Sequence, residues 1–263
     1  MIICYNFFMK IKFFYSIAFL LVIFISLFFL LVNKKETVAI IGAMDVEIKE
    51  ILTNLSNAKY KKENDFDIIT GNLGKYKVIL SKSGVGKVSS ATTTQFIIDN
   101  YNPTYIINIG IAGSLSPYLK AGDTIIAEKM VQHDFDVTAF GNPKGYMDNG
   151  IEPNKPTIYY SDKILIDKFM KNNSLKSGIV ATGDIFVTDT NLKNSIKKEF
   201  NAIAIDMESA AIAQTAKRND IPVIVLRTIS DGLEDSTNAY KQNKQTVAKA
   251  PALITVKLLK NNE

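Results

Sequence analysis

Three carboxylates, far apart in the chain, each stand where an apolar run gives way to a polar turn. Glu47 closes Gly42-Ala43-Met44-Asp45-Val46-Glu47 after the run Val38-Ala39-Ile40-Ile41. Glu208 lies in Asp206-Met207-Glu208-Ser209 after Ala202-Ile203-Ala204-Ile205, and Asp231 ends Arg227-Thr228-Ile229-Ser230-Asp231 after Val223-Ile224-Val225-Leu226. Short apolar runs rich in β-branched residues read as buried strands. In an open α/β sheet, ligands collect at the carboxyl ends of the strands. Three acids gathered there have the chemistry of a general base, a general acid and a clamp on hydroxyl groups. Each also has a plainer reading. Glu47 fits a first-turn acid favoured by the helix macrodipole, Met207-Glu208-Ser209 an ordinary helix start, and Asp231 the cap of the following turn.

The elements that must position these acids alternate along the chain. Strand-like runs occur at Thr37–Ile41, Tyr76–Ser81, Tyr105–Ile109, Thr124–Ala127, Gly178–Ala181, Ala202–Ile205 and Pro222–Ile229. Helical patterns lie between several of them, at Asp45–Leu55, Lys87–Asn100, Asn191–Phe200 and Met207–Asn219. This order predicts one α/β domain over residues 36–263, with a central twisted mixed sheet, mainly parallel, flanked by helices. A last helix is expected from Ala239 to Lys260, and Pro251 inside it predicts a kink or a late start. Residues 135–155, rich in Gly, Asn, Asp and Pro, read as a long functional or mobile loop.

A segment of another kind precedes the domain. The run Phe13–Val32 carries no charge and, at about 20 residues, is long enough for a hydrophobic helix to cross a hydrocarbon core of roughly 30 Å. No small-residue cleavage pattern precedes Glu36, so residues 1–35 are expected to act as a signal or anchor segment, more as a retained anchor than a cleaved leader. Basic residues flank both ends, which leaves the side occupied by the domain open. The expected location is membrane-anchored or exported.

The flanking lysines also reinterpret the charge. Of the net +5, four charges come from Lys10, Lys12, Lys34 and Lys35, leaving +1 for the rest. So small an excess gives no support to a nucleic-acid partner. The Lys-rich end of the chain (Lys241, Lys244, Lys249, Lys257, Lys260) reads as a solvated helix face, with an acidic polysaccharide as the competing partner. One cysteine, Cys4, and one histidine, His133, leave no ligand set for zinc.

Two glycine-rich spots lie between the acids. Gly84-Val85-Gly86-Lys87 fails the phosphate-loop pattern because Ser81 and Val88 stand at required positions, so it reads as a tight strand-to-helix turn. Ile109-Gly110-Ile111-Ala112-Gly113-Ser114 allows either close approach of a flat ligand to the backbone or tight packing.

Taken together, seven stretches resemble the 5′-methylthioadenosine/S-adenosylhomocysteine nucleosidases of the nucleoside phosphorylase superfamily. They are Ile40–Glu47, Ser83–Lys87, Ile107–Gly113, His133–Gly141, Thr182–Val187, Asp206–Ala213 and Arg227–Asp231. The resemblance spans residues 37–260 and implies a nucleoside phosphorylase-like fold, a homodimer, no cofactor and no metal. It implies hydrolysis of an N-glycosidic bond in adenosine thioethers. Asp231 would protonate the leaving adenine, with Ser230 orienting it, and Glu47 would activate the water. Glu208 would hold the ribose hydroxyls, Met207 would lie beneath the sugar, and Phe186 would stack on adenine beside the backbone of Val187. Ala112, Gly113 and Arg227 would complete the substrate pocket, and Phe140 would reach into the neighbouring subunit's site. Phe186 also fits a core aromatic. The pattern departs at Ile111, where relatives carry Ser, and at Asp45-Val46, which replace a more acidic run. Phosphorolysis is the rival reaction, but no Arg precedes Arg218 and Glu47 would repel a phosphate dianion. Hydrolysis is expected.

Overall fold

The computed structural model describes residues 19, 21, 24, 35–147, 154–171, 173–234 and 237–260. The expected hydrophobic helix over residues 13–32 therefore lies outside the described residues, except for Phe19, Leu21 and Phe24, which are helical and exposed. Among the described residues no helix is long and apolar enough to cross a membrane. The site-bearing part of the chain is the compact unit Glu36–Glu263.

Ten strands form one mixed sheet: β1 (Thr37–Gly42), β2 (Ser56–Glu63), β3 (Phe66–Leu73), β4 (Tyr76–Lys82), β5 (Tyr105–Ser114), β6 (Thr124–Gln132), β7 (Ile158–Tyr160), β8 (Lys176–Thr182), β9 (Ala202–Asp206) and β10 (Val223–Asp231). Seven helices cover it among the described residues: α1 (Asp45–Asn54), α2 (Lys87–Tyr101), α3 (Lys163–Met170), α4 (Thr190–Phe200), α5 (Ser209–Arg218), α6 (Thr237–Val247) and α7 (Lys249–Lys260). All seven expected strands are present. The strands β2, β3 and β7 and the helix α3 are additions, and β5 runs on to Ser114 rather than stopping at Ile109.

The sheet bends back on itself. Its order is β10-β6-β8-β9-β5-β1-β4-β3-β2, and β5 also pairs with β10. Strands β10, β6, β8, β9 and β5 thus close a ring, while β1, β4, β3 and β2 extend from it. The parallel trio β1, β5 and β10 ends beside β9, which meets β5 antiparallel through Gly113 opposite Ile205 and Ser114 opposite Ala204. Glycine within a strand commonly marks such a bend. The closure brings the carboxyl ends of β1, β5, β9 and β10 to one place.

Alternation along β1 explains the layers. Ala39 and Ile41 face a core shared with α2 and α5 through Ile97, Ala210, Ile212 and Ala213. Val38 and Ile40 face a second core containing Ile48 and Ile51 of α1, Phe169 of α3, and Val256 and Leu259 of α7. The expected final helix is broken at Ala248, and Pro251 falls in the first turn of α7. There a missing N–H costs no helical hydrogen bond; the expected single helix is instead two, α6 from Thr237 and α7 from Lys249, with the break falling before Pro251. Lys241, Lys249, Lys257 and Lys260 are exposed, the solvated face expected of them.

Candidate active site

Glu47 sits at the third position of α1, and its side chain turns back over the helix start. Its Oε2 accepts from the amides of Ala43 at 2.7 Å and Met44 at 3.0 Å, and its Oε1 accepts from Ile111 N at 3.0 Å. These donors serve an acceptor-only carboxylate. Burial raises the proton affinity of Glu47, and Arg227 and the three amides oppose it. Raised proton affinity is what a carboxylate needs to act as a general base.

Glu208 occupies the residue before α5. Its Oε1 accepts from Gly86 N at 3.0 Å, and its Oε2 lies 3.9 Å from the Arg227 guanidinium. Burial, then the neighbouring Asp206, pushes its pKa up to about 8, with Arg227 pulling the other way. Gly86 has φ +98, a backbone conformation open mainly to glycine. The Gly84–Lys87 turn thus presents an amide to a carboxylate and not to a phosphate, and Lys87 is bound to Asp134 at 2.6 Å.

Asp231 ends β10 just after a register shift between Ile229 and Asp231. Such irregularities re-aim side chains beside active sites. The Ser230 hydroxyl donates to Asp231 Oδ1 at 2.7 Å, and Lys193 Nζ lies 3.3 Å from Oδ2.

Arg227 links the acids and is itself almost fully buried. Its Nε donates to Asp206 Oδ2 at 2.8 Å, its Nη2 to Asn108 Oδ1 at 2.7 Å, and its Nη1 to the Leu226 carbonyl at 3.1 Å. Asp206 Oδ1 also accepts from Thr182 Oγ1 at 2.6 Å. Three of the five guanidinium N–H groups of Arg227 are thus engaged within the protein, and Nη2 also lies 3.9 Å from Glu208 Oε2.

Small residues in β5 make room for these groups. A Cβ at Gly110 would lie 2.9 Å from Glu47 Oε1 and 3.0 Å from Arg227 Nη1, and one at Gly113 would lie 3.1 Å from Asp231 Oδ2. The glycines of this stretch admit the protein's own charged side chains, which accounts for the tight-packing reading at Gly110 and Gly113. Ile111 joins an apolar patch with Val247, Ala248, Met44 and Tyr240, so the missing hydroxyl is offset by burial.

Tyr240 on α6 faces all three acids: its hydroxyl's proton affinity is raised by burial first and then by Glu47, Glu208 and Asp231. Its ring meets Phe186 edge-on, with centroids 5.1 Å apart. Phe186 is 45% exposed, which excludes the core-aromatic reading. Met207 is half-buried, Ala112 is buried with its carbonyl accepting from Ser230 Oγ, and Val187 packs into a core beside Ile196 and Phe200. Phe140 stands in a short 3₁₀ turn, Thr138–Phe140, and is 83% exposed. His133 is buried with Nε2 unpartnered, and burial lowers its proton affinity. Among the described residues no cluster suits a metal ion. A separate groove of about 770 Å³, lined by Tyr159, Asp162, Lys217 and Pro222 among others, shares none of these side chains.

Sequence reasoning did not single out Lys193, Tyr240, Asn108 or Asp206. For Lys193 a signal existed: with Ile196 and Phe200 it falls on one helical face at i, i+3 and i+7, and that face is buried.

A ring-closing mixed sheet with acids at its strand ends describes a class of nucleoside-processing enzymes, and comparison bears this out. The family model described as the phosphorylase superfamily matches residues 37–260. The 5′-methylthioadenosine/S-adenosylhomocysteine nucleosidase of Buchnera aphidicola subsp. Baizongia pistaciae is 33% identical over 235 residues, covering 87% of this chain and 91% of that protein. A solved nucleosidase of the same description from Neisseria meningitidis, in complex with methylthio-immucillin-A, aligns with TM-score 0.80 and 32% identity over 86% of this chain and 99% of that one. The S-adenosylhomocysteine nucleosidase of Streptococcus pyogenes, in complex with 5-methylthiotubericidin, aligns with TM-score 0.80 and 34% identity over 87% and 98%. The chain belongs to the phosphorylase superfamily and, within it, to the 5′-methylthioadenosine/S-adenosylhomocysteine nucleosidases.

Proposed function

We propose that this protein hydrolyses the N-glycosidic bond of 5′-methylthioadenosine and S-adenosylhomocysteine, releasing adenine and the thioribose product. It is an N-glycosyl hydrolase of adenosine thioethers. The observation that carries this reading is the meeting of the three acids at one end of the sheet: Glu47 on the amide of Ile111, Asp231 joined through Ser230 to the carbonyl of Ala112, and Glu208 beside Arg227, which also neighbours Glu47 across Gly110.

Bond cleavage leaves positive charge on the ribose and negative charge on the base. Groups placed where those charges develop lower the barrier. Asp231 gives its proton to the imidazole-ring nitrogen of adenine as the C–N electrons move into the base. Glu47, held by three amides, takes a proton from the water that attacks the ribose carbon. Glu208 binds the ribose hydroxyls, Met207 lies beneath the sugar, and Phe186 stacks on the purine with the Val187 backbone beside its edge. Ala112 and Gly113 supply the narrow wall.

Phosphorolysis needs cations free to grip phosphate. Arg227 is committed to Asp206 and Asn108, and Lys87 to Asp134. Hydrolysis therefore fits the site better. Adenine release from methylthioadenosine by residues 36–263 is expected to proceed in phosphate-free buffer and to be unchanged by added phosphate; strict dependence on phosphate would reverse the assignment.

The exposed Phe140 supports a homodimer in which that turn covers the partner's site, and a monomer by analytical ultracentrifugation would exclude it. The apolar run 13–32 supports tethering to a membrane, which fractionation of the full chain tests.

A further inference from the structure

Lys193 is fully buried, yet the hydrolysis proposed for this site assigns it no step. It stands on α4, four residues past the capping Asp189, with Nζ 2.6 Å from the Gly232 carbonyl and 3.3 Å from Asp231 Oδ2. A buried ammonium is costly unless it meets an opposite charge. Here that charge belongs to the proposed proton donor. The two Asp231 oxygens thus face two donors, the Ser230 hydroxyl on Oδ1 and the Lys193 ammonium on Oδ2.

We infer that Lys193 is a positioning residue for proton delivery: it fixes the Asp231 carboxyl toward the leaving base and balances the negative charge left once Asp231 has given up its proton. The inference rests on the reading of Asp231 as general acid. Protons and charge balance in this step. The Asp231 O–H bond breaks, the base gains that proton, the C–N pair enters the purine, and a carboxylate–ammonium pair remains. Glu47 holds the proton taken from water, and solvent returns the enzyme to its starting state. Other ionisable groups on this side of the site are Glu47 at the start of α1, Glu208 before α5 and Tyr240 on α6, whose hydroxyl feels the charge of all three acids. Asp206 at the end of β9 is occupied by Arg227.

The test is the pH profile of kcat/KM for methylthioadenosine in the wild type, Lys193→Met, Lys193→Gln and Lys193→Arg, with Asp231→Asn in parallel. Lys193→Met is expected to lower kcat by about 10–100-fold, as for a misplaced catalytic group, with KM little changed, and to move the alkaline limb upward. Lys193→Arg should keep the limb near the wild-type position. If Lys193→Met does not fold, Lys193→Gln takes its place. An alkaline limb unmoved in the folded neutral variant, or moved equally in Lys193→Arg, overturns the inference. An active Asp231→Asn enzyme instead overturns the general-acid reading itself, so the two failures are told apart.

Discussion

Replacing Gly110 with alanine places a methyl group between the two most constrained charges in the site. The new Cβ would stand 2.9 Å from Glu47 Oε1, 3.0 Å from Arg227 Nη1 and 3.2 Å from its Cζ. Neither neighbour is a loose side-chain end. Glu47 is held by the amides of Ala43, Met44 and Ile111, and Arg227 by Asp206, Asn108 and the Leu226 carbonyl. Overpacking of a filled interior costs about 1–3 kcal/mol, and pulling Oε1 off Ile111 N forfeits a charged hydrogen bond worth roughly 1.5–3 kcal/mol. The total of about 2.5–6 kcal/mol should lower Tm by roughly 5–24 °C in a domain of this size. A general base displaced by about 1 Å loses on the order of 100-fold in rate. The assay is kcat for adenine release at a temperature where circular dichroism shows Gly110→Ala folded, beside its thermal melt. A variant with wild-type kcat and a Tm within about 2 °C would show that the carboxylate and guanidinium are not fixed as described.

The same cluster sets two more expected outcomes. Asp231→Asn should lose about 10²–10⁴-fold in kcat, the range for a general acid, while its melt stays close to wild type; retained turnover would remove Asp231 from the reaction. Glu208 has a folded pKa raised from 4.5 to about 8, so the folded state holds that proton more tightly than the unfolded chain. Its contribution to stability is therefore whole below about pH 4.5 and is lost as pH rises to about 8, a loss on the order of several kcal/mol. The Tm of Glu208→Gln relative to wild type should climb between pH 5 and 8, and a constant difference would contradict it.

The parts of the fold legible in the sequence are those whose elements are buried on both faces. Strands β1, β5 and β10 are continuous apolar runs because helices cover both sides, and such runs announce themselves. Strand β2 is Ser-Asn-Ala-Lys-Tyr-Lys-Lys-Glu and almost wholly exposed at the sheet edge. Its lysines suit an edge that must avoid further pairing, yet they erase the pattern by which a strand is recognised. Strand β7 has three residues, too few to show any period. In the site, the acids were visible because each ends an apolar run, and the resemblance supplied their roles. Their supports were not. Asn108 and Gly110 lie inside a strand and look like ordinary strand positions until β10 is laid beside them. The bonds of Arg227 to Asp206, Asn108 and the Leu226 carbonyl were hidden too, because spacing along a chain does not reveal which partners a guanidinium meets after folding.

The charge balance of the buried cluster argues independently for the kind of reaction. Among the described residues, four carboxylates, Glu47, Asp206, Glu208 and Asp231, are buried there against two cations, Arg227 and Lys193. Arg227 is engaged with Asp206 and Lys193 with Asp231, which leaves Glu47 and Glu208 without a cation at hydrogen-bonding distance. Glu208 escapes part of the cost by holding a proton near neutral pH, and a neutral carboxyl can both accept from and donate to a ribose hydroxyl. Glu47 is held by amides, with Arg227 acting at longer range against the burial that raises its proton affinity. A site lined by carboxylates, with both cations already engaged, gives a phosphate dianion no grip and favours a cation. A sugar carbon that turns positive as its bond to adenine breaks meets that demand only at the transition state, and interactions that strengthen only there accelerate the chemical step.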